Sequence, residues 1–236
     1  MKSRSIFGGV LGVLVAVGCL QAQQSLKGHI DLTRDGHRVK DASKAVVWLT
    51  PIGTNVAAPK QDGAHIPQLV QKNKSFQPSL VVVPVGGKVE FPNRDPFFHN
   101  VFSLFEGKRF DLGLYESGTT RFVQFDKPGI SFIFCNIHAE MSAVVIALST
   151  PYYSVSDAKG DITIPNVPPG RYQLQVFHSA VAPDTLHALS REVTIGPTDT
   201  VLGTFALAET DVLTHKNKYG RDYDRPVPDS PAYVKP

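Results

Sequence analysis

Short runs of β-branched and aromatic residues, roughly four to eight long, recur along most of this chain and are cut apart by Gly- and Pro-bearing turns. No stretch carries the 3.6-residue apolar repeat of a long amphipathic helix. Such a chain can bury its apolar side chains only by pairing strands and stacking sheets, so the expected class is all-β. Turns such as Lys127-Pro128-Gly129 and Pro168-Pro169-Gly170 follow one another at the short intervals of a sandwich. With 236 residues there is material for one large or two modest cores.

The N-terminus departs from this pattern. Lys2 and Arg4 precede the apolar run Ile6 to Leu20, and Gln21-Ala22-Gln23 follows, which reads as a secretory signal peptide cleaved after Ala22. Two other readings are a lipoprotein acylated at Cys19, which follows Gly18, and a single-span anchor. Against the first, Ala16 stands where a lipobox usually has Leu; against the second, the run is shorter than the ~20 apolar residues a bilayer needs. The expected location is the periplasm. Loss of Lys2 and Arg4 leaves 22 basic residues against 21 acidic ones, so the net charge falls from +3 to about +1. Without a basic cluster, nucleic acid is not an expected partner. Removal or acylation of Cys19 makes Cys135 the only free thiol, and Met141 is then the only methionine. An exported chain that keeps one unpaired thiol needs a use for it.

The predicted strands are Lys44 to Thr50, Leu80 to Val85, Lys88 to Phe91, His99 to Phe105, Thr119 to Phe125, Ile130 to Cys135 and Ala143 to Leu148. Gly86-Gly87 predicts a hairpin. A second series begins near Tyr152 and runs through Asp161 to Ile164, Tyr172 to Val176, Arg191 to Ile195 and Thr200 to Ala206. This second series is small for a sandwich of its own. Leader strands around Leu26 to Leu32 or Val46 to Leu49 could complete either sandwich, and if they complete the second, the intervening unit is an insertion. The division is therefore 1–22 signal, 23–75 leader strands and loop, 76–150 first sandwich, 151–208 second sandwich, and 209–236 an extended polar tail.

The segment Phe134-Cys135-Asn136-Ile137-His138-Ala139-Glu140-Met141 sets a thiolate, an imidazole and a thioether at three-residue steps beyond a buried strand. On a continuing strand such residues face opposite sides, so their convergence requires a turn after Cys135. His99, at a strand start, is the best fourth donor. Two imidazoles, one thiolate and a weak thioether select copper for electron transfer.

These residues resemble the cupredoxins, the plastocyanin and amicyanin family. His99-Asn100-Val101 matches the upstream ligand motif, and C-x2-H-x2-M is similar to the short ligand loop of amicyanin. The resemblance spans about Phe76 to Leu148 and implies a Greek-key sandwich. It also implies one copper ion cycling between Cu(II) and Cu(I), bound by His99, Cys135, His138 and axial Met141, with Asn100 behind the ligands holding their two loops together. Segments around Asp157-Ala158-Lys159-Gly160 and Pro168-Pro169-Gly170-Arg171-Tyr172 resemble carboxypeptidase regulatory-like domains, small prealbumin-type sandwiches. The pairing is similar to bacterial proteins of the methylamine utilisation type. What these resemblances imply is an electron carrier between periplasmic redox proteins, with no catalytic residues.

Other readings compete. A copper-handling or adhesive module would make redox incidental, and a carboxypeptidase-associated fragment would have a degenerate metal site. Zinc would call for several Cys and His, where this chain offers one Cys and a Met. A cysteine hydrolase needs an exposed thiol beside a base, yet Cys135 ends an apolar strand. Multicopper oxidases flank the cysteine with histidines, where this chain has Phe134 and Asn136. Pro96, Phe97 and Phe98 form a possible docking patch over His138, or else sandwich core. His29, His37, His65, His178, His187 and His215 have no partner spacing, and Lys216 to Tyr219 read as solvated tail.

Overall fold

In the computed structural model the residues described are 24–54, 56–57, 59–104, 106–210 and 215–223. The leader read as a signal peptide, with Cys19, lies outside them. Among them no helix is long and apolar enough to cross a membrane.

Among the described residues the apolar runs form seventeen strands, with one short helix. The chain enters through β1 (Gln24–Arg34), β2 (His37–Arg38) and β3 (Val46–Pro51). A middle series follows: β4 (Val70–Lys72), β5 (Ser75–Gln77), β6 (Leu80–Pro84), β7 (Gly87–Pro92), β8 (His99–Ser103), β9 (Phe110–Tyr115), β10 (Thr120–Phe125), β11 (Gly129–Cys135) and β12 (Ser142–Leu148). The last series is β13 (Tyr153–Val155), β14 (Asp161–Val167), β15 (Gly170–Phe177), α1 (Pro183–Leu189), β16 (Arg191–Ile195) and β17 (Val201–Ala208).

The middle series makes a five-stranded sheet, β6-β12-β11-β8-β9, facing the pair β7-β10. Between them lie Leu69, Phe76, Val89, Phe91, Phe125, Ile133, Cys135, Met141 and Val145, all buried. Each such side chain contributes about 1.5–3 kcal/mol on burial. The core therefore starts at Leu69, upstream of the boundary at residue 76 expected from sequence.

The first and last series interleave. β1 lies between β14, antiparallel, and β17, parallel. β3 lies between β13 and β15, with β16 beyond. These two sheets enclose a second core that includes Leu26, Ile30, Leu49, Ile164, Leu174, Phe205 and Leu207. Gly160 sits where the chain returns from β13 to β14. Its φ is +90°, and a Cβ there would lie 2.2 Å from the Ile30 carbonyl oxygen, so only glycine fits.

Val46, Trp48 and Phe177 from one half pack with Val144, Ile146 and Leu148 from the other, forming a third apolar layer. Successive strand residues face opposite ways, so a strand buried on both faces must be apolar throughout. This accounts for the unbroken runs Val46-Val47-Trp48-Leu49 and Ala143 to Leu148.

Gly86 does turn the chain, at φ +87°, but no hairpin forms. β6 pairs with β12 while β7 pairs with β10, so the Gly pair is a corner between two sheets. Leu148 and Phe125 carbonyls accept the N–H groups of Val85 and Gly86, at 2.9 and 2.7 Å, and hold the corner open.

Candidate metal centre

Cys135 is the last residue of β11 and points, like Ile133, into the middle core. β11 meets β8 only at this end, where Phe134 pairs with Phe102 and Cys135 with Val101. That short ladder brings His99, at the start of β8, beside the thiol. After Cys135 the chain turns sharply. Asn136 N–H donates to the Asn100 carbonyl at 2.9 Å, Met141 N–H to the His138 carbonyl at 3.2 Å, and Cys135 N–H to the Met141 carbonyl at 3.2 Å. The loop thus closes on itself and is tied to the His99 strand.

The Cys135 Sγ lies 3.5 Å from Nδ1 of His99 and 3.6 Å from Nδ1 of His138. Donor atoms of these three residues all fall within 4.8 Å of one another, a cluster able to hold a metal ion. His99 and Cys135 are fully buried, whereas His138 is only half-buried. The two imidazole rings stand 5.0 Å apart, and the half-buried Phe97 packs on both, at 5.2 and 5.6 Å. Phe98 beside it is exposed.

Burial sets the protonation of the centre. It pushes the Cys135 thiol up, against the Asn100, Ile137 and His138 backbone N–H groups directed at it. It lowers His99 despite the adjacent Asp95. His138 is pushed down to about 4, by burial first and by the His99 charge second. Neutral thiol beside neutral imidazoles is the form that costs least to bury without an ion, and binding a metal there would displace the thiol proton.

Asp95 was not singled out by sequence. Its Oδ2 lies 2.8 Å from the other His99 nitrogen, Nε2, with both side chains almost fully buried. Burial works to raise this carboxyl, yet the Lys74 N–H, the His99 ring and the Asn73 N–H together hold it below the usual range. The Asn73 and Lys74 bonds measure 2.6 and 3.0 Å. An ionised carboxylate there fixes the proton on Nε2 and leaves Nδ1 free to face the sulfur. The available signal was a carboxylate four residues ahead of a candidate ligand.

Met141 is fully buried in the same core as Cys135. The Asn100 side chain donates to Asp111 Oδ1 at 2.7 Å, while its main-chain carbonyl accepts the Asn136 N–H and ties the His99 and Cys135 segments together.

No protein-family model matches the sequence, and no curated protein does. Among solved structures, the chain is similar to a purple cupredoxin from Nitrosopumilus maritimus over 35% of its own length and 99% of the other chain, at 21% identity and a TM-score of 0.32. A reduced Cu(I) amicyanin variant aligns over 43% of this chain and 98% of its own, at 19% identity and a TM-score of 0.34. A copper-containing nitrite reductase from Thermus scotoductus aligns over 51% of this chain and 28% of its own, at 21% identity and a TM-score of 0.35.

Proposed function

We propose that this chain is a type 1 (blue) copper protein of the cupredoxin class, carrying single electrons between periplasmic redox partners and catalysing no reaction of its own. One ion would be held by His99, Cys135, His138 and Met141. The observation that carries the reading is the approach of one buried sulfur to Nδ1 of two histidines.

The donor set fits copper. A lone thiolate with two imidazoles is too poor in sulfur for the usual closed zinc site, and a thioether such as that of Met141, buried in the same core, suits a soft ion. When bound, copper supplies exchange between Cu(II) and Cu(I). The chain's own residues limit how far the ligands move between the two states. Cys135 is fixed by strand pairing and His99 by Asp95, so both resist reorientation. His138, half-buried beside Phe97, would offer the edge over which an electron passes to an apolar partner surface.

Residues 68–148 read as a Greek-key copper domain. The outer core reads as a second, prealbumin-like sandwich of the carboxypeptidase regulatory type, interrupted by the copper domain. Support for that division comes from β1 and β3, which among the described residues pair only with strands of the last series and with β2.

The test is a visible spectrum of copper-loaded, air-oxidised protein. An intense blue band that vanishes on reduction, and is missing from a folded Cys135→Ser variant, is the expected result. A colourless oxidised copper form, or a Cys135→Ser variant as blue as its parent, contradicts the reading.

A further inference from the structure

The segment from Glu209 was expected to extend into solvent, and residues 215–223 do not. Three independent contacts attach them to three consecutive residues at the thiol. The His215 ring stacks on Phe134, centroids 4.0 Å apart and planes 26° from parallel. Lys218 N–H donates to the Asn136 side-chain oxygen at 2.9 Å. Tyr223 O–H donates to the Cys135 carbonyl at 2.7 Å.

The segment is shaped to make these contacts together. Asn217 N–H donates to the Arg221 carbonyl at 2.9 Å, and its side-chain oxygen accepts the Tyr219 and Arg221 N–H groups at 3.0 and 3.1 Å. His215 Nδ1 lies 3.2 Å from the Tyr223 oxygen. Because the phenol proton is directed at Cys135, His215 must be the donor in that pair. Lys218 Nζ reaches Asp111 Oδ2 at 2.7 Å, the same carboxylate that holds the Asn100 side chain next to His99.

Position on the sheet explains the need. Phe132 and Phe134 face away from the middle core. Phe177 of β15 covers Phe132, at 6.1 Å between rings. His215 covers Phe134. The C-terminal segment finishes at the thiol end what the second sandwich begins at the other.

We propose that residues 215–223 are an intramolecular strap that holds Phe134-Cys135-Asn136 in place, with Tyr223 the positioning residue at the thiol-bearing backbone. Fixing this stretch with or without an ion keeps the sulfur where the two histidines need it. The copper reading gives the strap its purpose, but the strap is testable in metal-free protein.

The experiment follows alkylation of Cys135 by iodoacetamide in folded, metal-free chains. Because the thiol is buried, reaction proceeds through local opening of its segment, and its rate reports that opening. Relative to the full chain, Tyr223→Phe reacts about five-fold faster, as loss of one such hydrogen bond implies. A chain ending at Thr210 reacts faster still, by at least about tenfold, as loss of several such contacts implies. Circular dichroism and melting temperature stay close to the parent for Tyr223→Phe, which a general loss of stability would not allow. Should the shortened chain fail to fold, the pair Tyr223→Phe and His215→Ala, alone and combined, carries the test. Alkylation unchanged in the folded variants overturns the strap. Failure of the full chain to turn blue with copper would overturn the copper reading and leave the alkylation result standing.

Discussion

The two cores of this molecule are alike in strand chemistry and different in what else they bury. Around the outer core the buried polar side chains among the described residues are Thr150, Ser156 and His178. Thr150 and Ser156 are absorbed by local backbone, Thr150 on the Leu49 carbonyl and Ser156 between Ala42 and Ala45. The middle half buries Gln71, Asn93, Asp95, His99, Asn100, Ser103 and Ser131, and Asp95, His99 and Asn100 crowd toward the end where β8 meets β11. Buried polar groups cost free energy unless each is partnered, so a dense network at one end of a β-sandwich marks where chemistry displaces packing. One half is built to be stable, the other to hold a cluster of donors.

The largest effect should come from His99→Ala. It removes a proposed ligand and leaves Asp95 buried without its partner ring. We expect loss of the blue band together with at least about 1.5–3 kcal/mol of destabilisation, the usual size for losing a buried hydrogen bond to a charged group. Urea denaturation and absorption measured on one sample would show both. Leu174→Ala in the outer core should cost about 2–5 kcal/mol by denaturation while leaving the spectrum of copper-loaded protein unchanged. If that spectrum moves, the two halves are not separable in the way described.

Asp95→Asn sharpens the comparison inside the middle half. Losing the charged acceptor behind His99, as the proposed copper ligand, should weaken copper binding by about 10–100-fold, measured by chelator competition, with the fold retained. Next in size is a pH effect on metal-free protein. His138 titrates near 4 when folded and near 6.5 when unfolded. Between those values the unfolded chain binds the extra proton, so stability falls as pH drops from about 6.5 to about 4 and this contribution levels off below. His99, also lowered, acts in the same direction. Melting curves across that range would check it, and His138→Gln should flatten the slope. The smallest effect belongs to Arg171→Ala on the outer sheet. Its pair with Glu192 is largely exposed, so the cost should stay under about 1 kcal/mol.

The middle strands were legible because their apolar runs end at clear turns, and the Cys135-His138-Met141 spacing was legible because three donor types in one loop are rare by chance. Three things were not. β9, with the left-handed Gly113 inside it and an exposed Leu114, has no clean alternation to read. The Gly86-Gly87 corner has hairpin chemistry, and only the competing partners β12 and β10 pull its two strands apart. The segment 215–223 carries no periodicity because it pairs with nothing as a strand. It is held by a ring stack and single hydrogen bonds whose partners lie some 80 residues away in sequence.

The central claim concerns which atoms meet at the centre, and X-ray absorption at the copper edge of the loaded protein reads them directly. The account predicts one short sulfur scatterer from Cys135 and two imidazole nitrogens, with the short sulfur absent in Cys135→Ser. A first coordination sphere of nitrogen and oxygen alone in the parent protein would contradict it.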